Sequence, residues 1–497
     1  MELYDPDLHL LVDDHDVLYR ENLERIVGRP KKYPVPVVKQ DRPWESPWVY
    51  AWGSVLRHPE TDRLQMWYET AGYGNDTALI RTCYAESTDG IHWEKPTLGR
   101  YALYGYEDTN IVAMCHARQT DEPRGVQVWA ESGACFLGEG PQIHDFASHY
   151  DGTNVVRDEQ EPDPQKRYKF IGCMWRRDGN GRHSHNVMTS PDGIHWTMPP
   201  EKVLEGINDG TTVEWDPIRR KWMLGWLSSK VLDTGENVRF SELAESDDFR
   251  NWTLVGKPFD LDAEDGFGRI QQGHFFHPFV YGNQYLALYS AIHSKEGWVQ
   301  TYLVSSRDGR HWERLLRRDP FIPIGGEGDF DEDSVDTAIN SPLLMGDEMF
   351  IYYSGRARRL YAPGAASGAI GLVQLKRDRF AGLCNGGWFN RDCNNNVSAG
   401  GSLLTKPVTV AGPTLYVNAR SMEVSPTWGI LRAELLDEAQ QPIPGYTLEE
   451  CLPVRGDGVR LPVRWKEHAD VSALQSRQVH IRFQINKTTL YAYTFAS

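Results

Sequence analysis

The stretch "SPDGIHWT", residues 190–197, decides how this chain is read, because it comes back. "STDGIHWE" starts at Ser87 and "SRDGRHWE" at Ser306, so Ser-x-Asp-Gly-x-x-Trp stands at three places. A fourth copy keeps Ser246, Asp248 and Trp252 but has Phe249 in place of the glycine. A fifth, "LKRDRFAGL" around Asp378, keeps the Asp and an aromatic. Successive aspartates lie 103, 56, 60 and 70 residues apart. Blades of a β-propeller recur every ~40–60 residues, with four strands each. The longer first interval leaves room for an insertion. Within each copy the Asp carboxylate can accept backbone N–H groups while Gly supplies a positive φ, so the motif is a turn. The Trp then anchors the next strand between blades. These aspartates are therefore expected to be structural.

Ahead of each copy lies a pair of strand-like runs around a turn. They read "SVLRHPETDRLQMWYET", "NVVRDEQEPDPQKRYKFIGC", "TVEWDPIRRKWMLGWL", "PFVYGNQYLALYSA" and "PLLMGDEMFIYYSG". β-Branched and aromatic residues flank Asp-Pro, Tyr-Gly-Asn and Met-Gly-Asp turns, which is the hairpin signal. Each hairpin supplies the two inner strands of a blade and each repeat closes the outer two. The expected fold is all-β: a five-bladed β-propeller over residues 41–394, then a C-terminal antiparallel β-sandwich over 395–497. The sandwich rests on "GILRAELLD", "VRLPVRW", "VHIRFQI" and "TLYAYTF", alternating runs without the repeat. The asparagine-rich stretch beginning "LCNGGWF" reads as the linker. Residues 1–40 hold one strand candidate, "LHLLVDD", expected to help close the ring, and a helix candidate, "DVLYRENLERIVG".

Composition narrows the partners. A net charge of −16 disfavours nucleic acid and anionic membranes, and leaves neutral partners such as sugars open. No apolar run approaches the ~18 residues of a bilayer span. The seven cysteines are scattered, with no CxxC pair, so neither a disulfide framework nor a zinc site is expected. No metal or cofactor is expected, and no P-loop or serine-hydrolase elbow is present. The acidic N-terminus lacks a signal-peptide pattern, so a cytoplasmic protein is expected, although a processed secreted chain would look the same.

Residues just before each inner strand are placed to meet at the mouth of the channel. These are Glu45, Trp48 and Tyr50 for the first blade, His149 and Asp151 for the second, and Asp209 for the third. The fourth offers Arg269, Gln271 and His274, and the fifth Asp333 and Asp336. Four blades of five thus bring a carboxylate to one register. Glycoside hydrolysis needs two carboxyl groups flanking the scissile bond, one protonated and one ionised, and clustering carboxylates raises at least one pKa. Trp48, Tyr50, Trp52 and Phe275 would suit the apolar face of a sugar.

Five blades followed by a sandwich, with "S-x-D-x-x-H-W" strand ends, resembles glycoside hydrolase family 32 and relatives such as family 43. The resemblance implies a hydrolase acting on a carbohydrate, an oligosaccharide or glycoside. It places the transition-state stabiliser on Asp151, within "YDGTNVV", and the acid on Asp209, within "INDGTTV". The family's first-blade Asn-Asp-Pro-Asn-Gly pattern is absent, and Tyr50 in "VYAWGS" holds its place. The base or nucleophile is thereby left to Glu45 or Asp336, with the N-terminal acids Asp13 and Asp14 as further substitutes. Other readings share the mouth. A phosphorylase would use one acid beside a cationic site at Arg269, His274 and His277. A lyase would use His149 or Tyr150 as base. A metal loop at His144, Asp145 and His149 and a non-catalytic sugar-binding propeller complete the set.

Overall fold

The computed structural model describes residues 3–45, 48–71, 80–103, 105–116, 134–136, 149–175, 183–197, 201–205, 210–315, 319–336, 340–357, 368–385, 400–424 and 427–497. Among these the regular secondary structure is almost wholly strand, and the helical pieces are single 3-10 turns such as Pro43–Glu45. Among the described residues no helix is long and apolar enough to cross a membrane.

Five blades follow one another. Blade 1 is Trp48–Arg57, Leu64–Ala71, Arg81–Ser87 and Ile111–His116, extended by Ala134–Phe136. Blade 2 is His149–Arg157, Tyr168–Trp175, His183–Ser190 and Glu201–Glu205. Blade 3 is Thr212–Asp216, Lys221–Val231, Asn237–Ser246 and Trp252–Gly256. Blade 4 is Gln271–Tyr281, Gln284–His293, Val299–Ser306 and Trp312–Arg314. In blade 5 the inner edge is split into Ser334–Asp336 and Leu343–Met345, both paired with Glu348–Arg356, and Gly368–Lys376 follows.

The ring holds together because every seam between blades is bridged by polar contacts. Ser54 Oγ accepts from Val155 N across blades 1 and 2 (2.8 Å). His185 bonds Thr211 across blades 2 and 3. Thr212 Oγ donates to the Phe276 carbonyl across blades 3 and 4 (2.6 Å). His274 meets Asp336 across blades 4 and 5, and Ser354 Oγ accepts from Ala51 N (2.8 Å) to return to blade 1. Blades 4, 5 and 1 also run on as one hydrogen-bonded sheet, through parallel pairs Val299 with Ser334 and Gly368 with Trp48. Between blades lie apolar cores: Val156, Ile171, Val213, Trp222 and Phe249 fill one, and Met223, Leu243, Phe276 and Trp312 another.

The repeat closes the third and fourth strands, as its sequence requires. Asp192 Oδ1 accepts from Ile194 N and His195 N (2.9 and 2.8 Å), and its Oδ2 meets the His195 ring (2.7 Å). Asp89, Asp248 and Asp308 repeat that pattern. Gly193 has φ +77, and a Cβ there would lie 2.4 Å from Trp67 of blade 1, so the turn also wedges against the preceding blade. Phe249 takes the same left-handed backbone (φ 65). Its ring packs edge-on against Trp222 at 4.9 Å, and that burial offsets the strain the glycine avoids elsewhere.

The N-terminal segment departs from expectation. "DVLYRENLERIVG" is no helix: it forms strands Val17–Glu21 and Glu24–Val27, turned at Asn22 with φ 52. Both strands find open partners, Gly401–Thr405 and Ala381–Cys384, so tertiary pairing overrides the helix-like spacing. The "LHLLVDD" strand, Leu8–Leu10, pairs with Thr488–Ala496 and not with a blade. Propeller closure is instead assisted by Lys31–Lys32, which pairs with the outer strand of blade 5. After the fifth copy, Ala381–Cys384 leaves the ring altogether. It joins a sheet with Thr488–Ala496, Thr414–Ser421 and Asp457–Pro462. A second sheet holds Gly401–Thr405, Gln478–Asn486 and Ile430–Leu436, and the two share a core including Val417, Leu490, Leu431 and Phe483.

Candidate functional site

The mouth is built by backbone that approaches closely. A Cβ on Gly152 of blade 2 would lie 2.6 Å from Gly210 N of blade 3, and one on Gly210 would lie 3.2 Å from the His274 carbonyl of blade 4. Both glycines have positive φ, so this level of the ring tolerates no side chain at either position. The starts of the inner strands are thereby drawn together.

At that level stands a cluster drawn from blades 1, 4 and 5. Asp336 Oδ1 accepts from His274 Nδ1 at 2.9 Å, and both residues are buried. The other ring nitrogen of His274, Nε2, makes no hydrogen bond among the described residues. Trp48, Tyr50 and Trp52 line up along the first strand of blade 1. Tyr50 stacks on Trp52 at 4.9 Å and meets Trp48 edge-on at 5.3 Å. Trp52 in turn packs on His274 and Phe275 at 6.2 and 5.3 Å. The Arg356 guanidinium lies 5.8 Å from the Tyr50 ring centre, with Nη2 3.9 Å from Asp336 Oδ2. Neighbouring carboxylates are tied into the frame: buried Glu69 accepts from Thr153 N and Oγ at 2.9 and 2.6 Å, joining blades 1 and 2. Elsewhere on the inner strands Glu214 of blade 3 accepts from Ser341 Oγ at 2.6 Å and stands 3.6 Å from His277 Nε2. On the blade 2–3 seam, burial pushes the His185 imidazole down to about 3, so it is neutral there.

Of the expected residues, Trp48, Tyr50, His274 and Asp336 are brought together. Glu45 is not. It is fully buried behind blade 1, where Lys95 (2.7 Å), Tyr68 Oη (2.6 Å) and the Asp41 and Arg42 N–H groups occupy its oxygens. No lone pair is left for a substrate, and its role is to hold the chain entering the first strand. Asp13 and Asp14 are likewise engaged, by Arg307 (2.7 Å) and Arg25 (2.6 Å). Arg269 forms a surface pair with Glu236 (3.1 Å), and Gln271 donates to Tyr302 Oη (3.0 Å), so neither joins the cluster. Asp151 and His149 lie on the first strand of blade 2, paired with Cys173 and Trp175. Asp209, His144 and Asp145 fall outside the described residues. Among the described residues no group of three His, Cys, Asp or Glu could hold a metal ion. Arg356 and Glu214 lie inside strand runs, Glu348–Arg356 and Thr212–Asp216, so no strand-entry signal in the sequence marks them.

No family model matches this chain, and no curated protein does. Solved structures resemble it. One described as a glycoside hydrolase is 12% identical, covers 70% of this chain and 92% of its own, and has a TM-score of 0.47. A structure from the GH130 family of mannoside phosphorylases, a family said to contain glycoside hydrolases, is 13% identical over 71% of this chain and 95% of its own, with a TM-score of 0.44. A thermostable family-43 glycoside hydrolase is 13% identical over 70% and 89%, with a TM-score of 0.38. With every TM-score below 0.5, the propeller rests on this chain's own sheets and seams, and function on its own residues.

Proposed function

We propose that this protein cleaves a glycosidic bond at the propeller mouth, as a hydrolase of the general kind that families 32 and 43 represent. The observation that carries the reading is Asp336, fixed by His274 across the blade 4–5 seam beside an aromatic wall from blade 1. A carboxylate whose orientation is set by a hydrogen-bonded imidazole is a preorganised base or charge stabiliser. Trp52, half-buried and backed by the buried Tyr50 ring, offers an aromatic surface to a sugar. Asp209 remains the proposed acid and Asp151 the stabiliser, with Asp336 as base or nucleophile; Glu45 drops out of the set. Glu214 joins it as a second blade 3 carboxylate, its side chain 31% exposed.

The test is a panel of chromogenic glycosides and oligosaccharides with and without phosphate, using the wild type and the Asp209→Asn, Glu214→Gln and Asp336→Asn variants. Phosphate-independent cleavage, lost by at least about 10²-fold in kcat on removing the acid, is expected. Cleavage only with phosphate present replaces hydrolysis by phosphorolysis. Binding without cleavage in either buffer leaves a sugar-binding propeller.

A further inference from the structure

The aromatic cluster contains more donors than it can satisfy. Arg356 is 6% exposed, yet its Nε is buried without a hydrogen-bond partner. Its Nη2 reaches Ser334 Oγ at 3.3 Å and stops 3.9 Å short of Asp336, beyond hydrogen-bond range. Trp52 Nε1, on the ring stacked against Tyr50, is a second buried donor with no partner. Asp336, the carboxylate nearest Arg356 among the described ion pairs, already gives Oδ1 to His274. A buried guanidinium with an open Nε edge is costly unless something accepts from it. Carboxylates and phosphates both fit that edge, offering two oxygens to two parallel N–H bonds.

We infer that Arg356 forms an oxyanion subsite in the propeller mouth. It takes either the carboxylate of an acidic sugar or an inorganic phosphate that reacts with the sugar. The inference rests on the mouth being a sugar site. It gives that site a substrate class: an anionic saccharide, or a neutral one paired with phosphate. The protein's overall charge of −16 repels anions at long range, so selectivity for an oxyanion has to come from this local arrangement.

The test is direct binding by calorimetry and by Trp fluorescence on the intact protein. Glucuronate, galacturonate and inorganic phosphate are the probes, with glucose and galactose as matched neutral sugars. At least one oxyanion should bind about tenfold or more tightly than the neutral sugars; a uronate points to an acidic substrate and phosphate to a co-substrate. Arg356→Lys should weaken that binding several-fold, and Arg356→Met should abolish it. If Arg356→Met does not fold, the wild type and Arg356→Lys still decide. Equal binding of anions and neutral sugars by the wild type would make Arg356 a mere counter-ion of Asp336 and overturn the inference. So would unchanged anion affinity in a folded variant. No bond is cut in these measurements, so failure of the cleavage assay and failure of this subsite are told apart.

Discussion

The turn aspartates and Asp336 are the same residue type at repeating registers, and their surroundings could hardly differ more. Asp89, Asp192, Asp248 and Asp308 are served by their own turns: the N–H groups two and three residues on, and usually a His ring three residues on. Asp336 is served by His274, 62 residues earlier and on another blade. Burial opposes ionisation of the turn carboxylates, but their short local bonds outweigh it and hold all four below the usual carboxylate range, Asp248 at about 2. Asp378, the degenerate fifth copy, goes the other way. Buried and bonded to Tyr281 Oη (2.7 Å), it is pushed up by burial. A carboxylate satisfied within four residues builds the fold; one satisfied across a seam either ties the frame, as Glu69 does, or stands in the mouth, as Asp336 does.

The sharpest way to press this contrast is Glu45, a carboxylate satisfied by distant residues that nonetheless builds. Glu45→Gln removes one of the two carboxylates that hold Lys95, 5% exposed, and leaves it Asp41 at 2.8 Å. Losing the buried charge-assisted hydrogen bonds should lower unfolding free energy by about 1.5–3 kcal/mol in urea titrations. Sugar binding by the folded fraction should be unchanged, and a loss of activity without a loss of stability would return Glu45 to the catalytic set. Asp336→Asn should do the reverse, lowering kcat at least about 10²-fold while the melting temperature shifts little. A variant that melts early but turns over normally would make the His274 pair only a seam bond.

Acid provides an intermediate test. His185 is held neutral down to about 3, whereas an exposed imidazole titrates near 6.5. Between those values the unfolded chain binds a proton that the folded one refuses, so this residue makes stability fall as pH drops through that window. His185→Gln should flatten the slope by about one proton; an unchanged slope would show the ring is protonated in place. The turn aspartates act lower, in the same direction. Their contribution is complete above about pH 4 and is lost as pH falls toward their depressed folded values. Smallest of all, Asp192→Ala should cost about 1 kcal/mol, since its carboxylate is partly exposed, and leave substrate affinity alone. Lost activity at an unchanged melting temperature would overturn the structural assignment of the repeat.

How much was legible follows from the same distinction. The sequence by itself determined the turns, the hairpins and the number of blades, because Ser-x-Asp-Gly-x-x-Trp closes its own hydrogen bonds and needs nothing distant. It also marked Trp48, Tyr50, His274 and Asp336, which lie at the starts of inner strands, although Gln271 in the same register turns to Tyr302 instead. Only the tertiary structure decided that "DVLYRENLERIVG" is two strands, because open edges at Ala381–Cys384 and Gly401–Thr405 outbid a local spacing that both periods could fit. Only it placed Glu45 and Asp336, both acids ahead of or at the start of inner strands, in unlike surroundings. One is sealed by Lys95 and Tyr68, and the other is bonded on one side and faces an arginine on the other. Which partner a buried charge finds depends on residues tens to hundreds of positions away, and no local pattern encodes that.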